Sequence, residues 1–346
     1  TSAPTLFGTT NALDTGINVA AQDTKIVSFL VGEATATSGG AGTATGIANT
    51  FVTWNANTGL RPLNPTDEFV QNAITAAKNN RITSATTASA SAAINSLVMN
   101  GGDLTISSGQ NLTNTSGAIL FASSGTIKTI GGASGFLFTG GNQEYLISVN
   151  SGVTATISSP FTGTADGNQI SLSGSGTLNL RGNSTLNIDE NGNRSSRLVA
   201  EGGGTLNVTG VITAFAPSAS NRSNGTNLVG QTSSGNTLNV AETGRLRAGG
   251  MTVGGDIFGN NTVTISSPGN AGAPSYHMHG NGAQLNMGVS SSGNTFTVSS
   301  GAYVRQDQGG GGNAWTIGTN AGGDNNAILI TGIGSTVNRG GAAGSE

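Results

Sequence analysis

The amino-acid sequence predicts an all-β fold: a parallel β-solenoid with about three short strands per coil, preceded by an irregular N-terminal cap or arm. Three observations predict it. Short apolar runs recur between turn residues, helical periodicity is almost absent, and two sequence landmarks return about once every 24 to 34 residues. Such spacing is typical of solenoids, in which each repeat covers the apolar face of its neighbour.

Short apolar runs predict the strands. From Leu97 onward, runs of three to five alternating residues recur every 7 to 10 residues and are bounded by Gly–Gly, Asn–Gly or Ser–Gly pairs, as expected for strands joined by tight turns. Every third run lies 22 to 26 residues after its predecessor, for example Leu97 and Ile119, or Leu104 and Ile127. Three strands therefore complete one predicted coil.

A literal repeat in the middle of the chain predicts which side chains face inward. Threonine, leucine and asparagine followed by an aliphatic residue occur at Thr177–Leu180, Thr185–Ile188, Thr205–Val208 and Thr237–Val240. Side chains alternate between the two faces of a strand, so the two aliphatic residues of each copy share one face and threonine and asparagine share the other. The repeat predicts inward apolar stacks and outward Thr/Asn ladders.

Two landmarks set the period of the last third of the chain. The first is an asparagine that precedes a strand, and the second is an aliphatic–glycine pair. The asparagines are Asn236, Asn261, Asn294 and Asn326, and the pairs are Val229–Gly230, Val253–Gly254, Met287–Gly288 and Ile317–Gly318. Both landmarks keep nearly the same intervals, which indicates one coil per period with the length variation taken up in turns.

The first 90 residues fit this pattern less well. We divide the chain into an N-terminal cap or assembly segment (1–90), the solenoid repeats (91–339) and a C-terminal tail (340–346). Ile26–Val31 is the most apolar strand candidate, and Asp67–Lys78 is the one plausible short helix, with Thr66 as its N-cap. Two interpretations stay open for the segment: an end cap that seals the first coil, or an arm that pairs with a neighbouring subunit.

Composition excludes several classes of protein. The 346 residues contain 57 glycines, no cysteine and only 13 basic and 16 acidic residues. The basic residues form no cluster, so nucleic-acid binding is not expected, and without cysteine there is no disulfide or thiolate site. The longest apolar run, Ile26–Val31, is far shorter than the roughly 20 residues of a membrane-spanning helix. Thr1–Pro4 carry neither an initiator methionine nor a leader, which favours a mature secreted chain.

Two segments carry a family resemblance. Ala93–Gly109, preceded by Phe51–Leu63, resembles the autotransporter-associated β-strand-repeat proteins of bacterial cell surfaces, and the units at Gly235–Val240 and Ile330–Val337 are similar to the same group. The resemblance covers about residues 50–340. It implies a secreted, right-handed β-solenoid passenger that serves as a surface stalk or adhesive scaffold.

No constellation of residues predicts catalysis, a cofactor or a metal. His277 and His279 share one face of a strand, but the sequence offers no evident third ligand. Asp189–Asn193 begins like a calcium loop but has Arg194 at the sixth position and Ala200 at the twelfth. The acidic residues are dispersed and are expected to be solvated turn carboxylates; they include Asp103, Glu144, Asp166, Asp189, Glu190, Glu201, Glu242, Asp256, Asp307 and Asp324.

The expected function is therefore structural and not enzymatic. A solenoid exposes unpaired strand edges at its ends, and low charge leaves little repulsion between them. We expect an extracellular subunit at a bacterial cell surface that assembles head to tail with copies of itself into a filament or sheath. The alternative is a monomeric adhesin that binds a glycan or a cell surface, for which the longest expected loop, Phe215–Gly225, is the candidate contact.

Overall fold

The computed structural model confirms the all-β fold and the parallel solenoid with three strands per coil. It describes residues 21–34, 45–55, 59–130, 135–138, 144–163, 167–186, 196–214, 226–255, 257–279, 283–308, 315–318 and 320–342. The chain divides into two compact units: Thr1–Thr139 with Tyr145–Pro160, and Gly140–Glu144 with Phe161–Glu346.

Most strands of the first unit form three parallel sheets, β4-β5-β8-β11-β14, β6-β9-β12-β15 and β7-β10-β13. The strands up to β15 are β1 (Val27–Gly32), β2 (Thr50–Asn55), β3 (Gly59–Pro62), β4 (Val70–Gln71), β5 (Asn79–Ile82), β6 (Thr86–Ala88), β7 (Ala92–Ile94), β8 (Ser96–Met99), β9 (Leu104–Ile106), β10 (Asn111–Asn114), β11 (Ala118–Phe121), β12 (Gly125–Thr129), β13 (Gly135–Phe138), β14 (Glu144–Val149) and β15 (Thr154–Ile157).

The second unit repeats this design in the sheets β16-β19-β22-β25-β28-β31-β34, β17-β20-β23-β26-β29-β32 and β18-β21-β24-β27-β30-β33. Its strands are β16 (Phe161–Gly163), β17 (Gln169–Ser173), β18 (Thr177–Leu180), β19 (Ser184–Thr185), β20 (Arg197–Ala200), β21 (Thr205–Val208), β22 (Val211–Thr213), β23 (Asn227–Val229), β24 (Thr237–Val240), β25 (Arg245–Ala248), β26 (Met251–Val253), β27 (Thr262–Ile265), β28 (Tyr276–Met278), β29 (Leu285–Met287), β30 (Thr295–Val298), β31 (Tyr303–Gln308), β32 (Trp315–Ile317), β33 (Ala327–Ile330) and β34 (Thr336–Ala342).

The Thr-Leu-Asn repeats face as predicted. In β18, β21 and β24 each leucine lies in register with the leucine of the neighbouring coil, and all three are buried. The asparagines on the opposite face form a ladder of amide hydrogen bonds: Asn207 donates to Asn179 at 2.8 Å, and Asn239 donates to Asn207 at 2.9 Å. The copy at Thr185–Ile188 runs beyond the described residues after Leu186.

A second asparagine ladder lies inside the coil, at the corner that precedes β24, β27, β30 and β33. Asn236, Asn261 and Asn294 each donate two hydrogen bonds, one from the backbone N–H and one from the side-chain amide, to Oδ1 of the asparagine on the next coil. The donor–acceptor distances are 2.8 to 3.1 Å, and the three donor residues are fully buried. Asn326 ends the ladder.

The glycines of three of the four aliphatic–glycine pairs make room for this ladder. Gly230, Gly254 and Gly288 have φ values of 73°, 80° and 51°, in the left-handed region that favours glycine. A Cβ atom on Gly230 would lie 2.1 Å from Oδ1 of Asn261 on the next coil, and one on Gly288 would lie 2.4 Å from Nδ2 of Asn326. The two sequence landmarks are thus two halves of one packing arrangement.

The N-terminal segment contains a separate antiparallel sheet, β1-β2-β3, that packs within the first unit. Its apolar residues share a buried cluster with Val98 and Leu120 of β8 and β11; the cluster comprises Ile26, Phe51, Leu63, Phe69, Val98, Ala118, Leu120 and Ala122. Side chains of the coils also donate to its backbone: Arg81 Nη1 to Asn49 O and Asn150 Nδ2 to Ala48 O, both at 2.6 Å. The segment therefore covers a flank of its own solenoid.

The helix predicted at Asp67–Lys78 is wrong. Val70 and Gln71 instead pair in parallel with Asn80 and Arg81, so parallel stacking begins before residue 91, the expected start of the solenoid. Asn72 and Ala77 have φ values of 52° and 58°, which end any helix at those positions.

Two tyrosines are buried in the coils, and each hydroxyl donates to a backbone carbonyl. Tyr145 bonds Leu137 O at 2.8 Å, and Tyr276 bonds Gly249 O at 3.0 Å. Burial raises the pKa of both phenols above the usual range and outweighs the opposite effect of hydrogen bonds from Asn114 and Asn227.

The glycine–asparagine packing predicts a difference between two alanine substitutions. Gly230 and Gly235 have φ values of 73° and 76°, so alanine carries the same backbone strain at both positions. Only Gly230→Ala also displaces the Asn261 amide, whereas a Cβ on Gly235 meets no atom within 4 Å. We expect Gly230→Ala to lower the free energy of unfolding by about 2 kcal/mol more than Gly235→Ala does. Denaturant midpoints of the two variants measure this difference, and equal midpoints would contradict the packing described.

The buried phenols predict a loss of stability at alkaline pH. Their folded pKa values lie above the unfolded value of about 10, so their contribution is fully present below that pH and falls as the pH rises through it. Each phenol should lower the free energy of unfolding by about 1.4 kcal/mol per pH unit above that point. The Tyr145→Phe/Tyr276→Phe variant should therefore show a shallower decline of the denaturation midpoint between about pH 10 and 12 than the wild type does. A parallel decline would exclude the effect.

Candidate functional site

Within the described residues, the last coil of the second unit has three strand edges without a partner, and we call this coil the open end. Among the described residues, β32 pairs only with β29, β33 only with β30, and β34 only with β31. Each of these strands therefore has one edge without a strand partner. Parallel strands lie about 4.8 Å apart, so this end has the geometry to accept one further coil.

The open end is apolar. Ile328 and Ile330 continue the inward columns of Phe296 and Val298, which are fully buried one coil earlier. Ile330 is half exposed, and no described coil covers it. Other large apolar side chains exposed on this coil are Ile317, Leu329 and Ile333, the last of which is fully exposed.

Asn326 leaves the inner asparagine ladder unfinished. Its Oδ1 accepts both bonds from Asn294, and its amide donates to Ser291 O and Gly323 O, each at 2.9 Å. Its backbone N–H, however, has no acceptor within the part of the chain that the structure describes. In the three preceding coils that position is filled by the asparagine of the next coil.

Few charged side chains lie at this end to discourage another chain from pairing with its strand edges. In residues 315–318 and 320–342 the charged side chains are Asp324 and Arg339. Arg339 lies over the ring of Trp315, 5.9 Å from its centroid. Proteins usually protect exposed strand edges with charges or proline, and here that protection is sparse.

The N-terminal end of the first unit is more closed. Ile82, Ala88 and Ile94 on its first coil are buried. The edge of β5 is paired with β4, and the edge of β7 is bonded by Ala77 N to Ala93 O at 2.7 Å. Within the described ranges, β6 has only β9 as a strand partner, so it is the exposed edge at this end.

A second candidate site lies on the outer face of the sheet that contains β25, β28 and β31. Tyr276 and Met278 of β28 point inward and are buried, so His277 and His279 point outward. Asp307 of β31, on the next coil, lies against both imidazoles. Its Oδ1 lies 3.0 Å from Nε2 of His277, and its Oδ2 is hydrogen bonded to Nδ1 of His279.

The three residues are compact and largely shielded from solvent. One ligand-type atom from each lies within 4.8 Å of the others, and the side chains are 16%, 12% and 8% exposed for His277, His279 and Asp307. Two arginines flank His277 in the register of the sheet, Arg247 on one coil and Arg305 on the other. The Nε atom of Arg305 also lies 3.1 Å from Oδ1 of Asp307.

The electrostatic state of Asp307 follows from these partners. Burial by itself would raise the pKa of this carboxyl, but hydrogen bonds from His277 and His279, together with their charge, hold it well below its usual range. Asp307 is therefore an ionised carboxylate, and each of the two imidazoles donates an N–H hydrogen bond to it.

The sequence places the two histidines on one face of a strand but does not identify Asp307 as their partner. The aspartate stands 28 and 30 residues after them and was counted among the dispersed acids. The coil period could have pointed to β31 as the strand one coil after β28, but not to the register that brings Asp307 to the histidines.

The other acidic candidates do not converge where they are described. Asp103 accepts from Thr126 N at 2.8 Å, and Glu201 accepts from Gln231 N at 2.7 Å, so each carboxylate bonds a backbone N–H of the following coil. The calcium-loop candidate Asp189–Asn193, Asp166, Asp256 and the loop Phe215–Gly225 lie outside the described residues.

Comparison with known protein families, with curated proteins and with solved structures finds no match to this chain. In the portion of the chain described above, no helix is long and apolar enough to cross a bilayer.

Proposed function

We propose that this chain is an extracellular structural protein, a β-solenoid subunit that assembles head to tail with copies of itself into a cell-surface filament or sheath. The observation that carries the proposal is the open C-terminal coil, with its unpaired strand edges, its exposed Ile330 and Ile333 and the unfilled donor of Asn326. Its location at the cell surface is proposed from composition and from the family resemblance.

Stacking a coil on this end would use interactions that the solenoid already repeats. A parallel strand beside β33 would bond its free edge, and an inward aliphatic residue would cover Ile330 as Ile330 covers Val298. The matching surface on a second copy is β6, the exposed edge strand of the N-terminal end. Burying apolar area contributes about 25 cal/mol per Å² to such an end contact and needs no charged partner.

The open end predicts that a charge placed on it blocks assembly. Ile333 is fully exposed, so Ile333→Asp leaves the fold intact but puts a carboxylate where a stacked coil would bury it. We expect the concentration at which the chain assembles to rise by more than about tenfold, which corresponds to about 1.4 kcal/mol. Sedimentation velocity over a concentration series, with electron microscopy of the same samples, measures this shift.

The control for this variant is Ile257→Asp. Ile257 is also exposed and belongs to the same unit, but it lies in the corner between β26 and β27, two coils before the end. It should assemble like the wild type. A wild-type chain that remains monomeric at every concentration, or an Ile333→Asp variant that assembles as readily as Ile257→Asp, would contradict the proposal.

The direction of stacking can be tested by cross-linking, because the chain contains no cysteine. Leu329 of β33 and Thr87 of β6 both face outward on edge strands, so head-to-tail pairing in matching register brings them within disulfide reach. The Leu329→Cys/Thr87→Cys variant should form a ladder of covalent oligomers on oxidation. Leu329→Cys alone should stay monomeric, and efficient dimerisation of that single variant would show tail-to-tail contact instead.

A further inference from the structure

The cluster of His277, His279 and Asp307 plays no part in the end contact, and its chemistry is that of a ligand set. His277 lies in β28 and His279 directly follows it, two residues further on, and the carboxylate comes from β31 on the adjacent coil. Parallel pairing of the two strands fixes all three donors relative to one another. Two imidazole nitrogens and one carboxylate oxygen form a donor set that transition metals recognise.

We propose that His277, His279 and Asp307 form a binding site for a divalent transition-metal ion, with zinc as the reference ion, that links the coil of β28 to the coil of β31. Three protein ligands leave at least one further position for water or another ligand. The site would act as a cross-link between neighbouring coils in a chain that has no cysteine to form one.

The distances suit a small adjustment around an ion. Zinc–nitrogen and zinc–oxygen bonds of about 2.0 to 2.2 Å in a tetrahedron place the ligand atoms about 3.3 Å apart. Nε2 of His277 and Oδ1 of Asp307 lie 3.0 Å apart, so this pair opens by only a few tenths of an ångström. The contact between His279 and Asp307 is shorter and opens further, as the ion replaces the proton between nitrogen and oxygen.

The donor set also selects against hard cations. Calcium takes six to eight oxygen ligands, and magnesium prefers oxygen in octahedral geometry. Asp307 is the one carboxylate in the cluster, and its partners are ring nitrogens. Imidazole suits zinc, copper, nickel and iron, so these ions should bind while calcium and magnesium do not.

Arginine side chains oppose the ion and set its affinity. Arg305 holds Oδ1 of Asp307 at 3.1 Å, and Arg247 lies on the other side of His277. A bound cation must displace Arg305 from the carboxylate. It is also repelled by the positive charge of both guanidinium groups, which weakens its binding. Removing the Arg305 charge should therefore tighten binding, which a cluster with no affinity for metal would not show.

The test is equilibrium dialysis and calorimetry of the tag-free, full-length chain against zinc chloride, with cobalt absorption as a report on coordination geometry. We expect one zinc ion per chain. His277→Gln and Asp307→Asn should each weaken binding by more than about tenfold, and Arg305→Gln should strengthen it by about tenfold. The matched control is Asp324→Asn, which changes an exposed aspartate on another face of the solenoid and should leave zinc affinity unchanged.

Stability provides a second readout. An ion that binds only the folded chain raises its denaturation midpoint in proportion to the logarithm of its concentration, and calcium in its place should have no effect. Arg305→Gln retains all three ligands, so it decides the question even if the ligand variants fold poorly. Absence of zinc binding in both the wild type and Arg305→Gln, or zinc binding that survives His277→Gln and Asp307→Asn unchanged, overturns the proposal.

Discussion

The inner asparagine ladder is the interaction on which the corners before β24, β27 and β30 most depend. A solenoid corner turns the backbone away from the sheets, which leaves N–H groups buried without a strand partner. Asn236, Asn261 and Asn294 solve this problem by bonding through both the backbone and the side chain to a single oxygen on the next coil. Since an unsatisfied buried donor costs about 1 to 3 kcal/mol, each of these three corners depends on the asparagine of the next coil. A glycine on the donor's own coil leaves the space that this asparagine occupies.

The same constraint explains why the two ends of the described structure differ. The first coil begins with short segments, β4 and residues 77–78, that pair with two of its three edges and leave β6 exposed. The last coil ends with the ladder unfinished and with its apolar columns half exposed. Low charge adds to the difference between the two ends. In the described last coil only Asp324 and Arg339 are charged, so little repulsion opposes a second chain there. The outer faces are solubilised by threonine, serine and asparagine, which stack coil on coil without the repulsion that columns of lysine or glutamate would bring.

Much of the fold could be predicted from the sequence because the forces that shape it are periodic. The inward leucines of the Thr-Leu-Asn repeats and the asparagine and glycine landmarks return once per coil, so spacing alone indicated their roles. The prediction of a helix at Asp67–Lys78 is wrong because the residues of this segment alone cannot reveal that Val70 and Gln71 have a strand partner. Asp307 was missed for a related reason: its contact with two histidines depends on the register between β28 and β31, and coil lengths in this chain vary too much to fix that register in advance. The open end could be proposed from the sequence as a general property of solenoids, but its exposed residues could be named only from the structure.

The ladder of Asn236, Asn261, Asn294 and Asn326 also gives the molecule a direction. Every donor lies on the earlier coil and every acceptor on the later one. As a polypeptide is made from its N-terminus, the most recently completed coil of this stretch is the one whose asparagine N–H groups still lack an acceptor. Cutting the chain after any of these corners would leave the same kind of end, with asparagine N–H groups that lack an acceptor. The repeat itself therefore does not limit the number of coils. Something other than the repeat must do so.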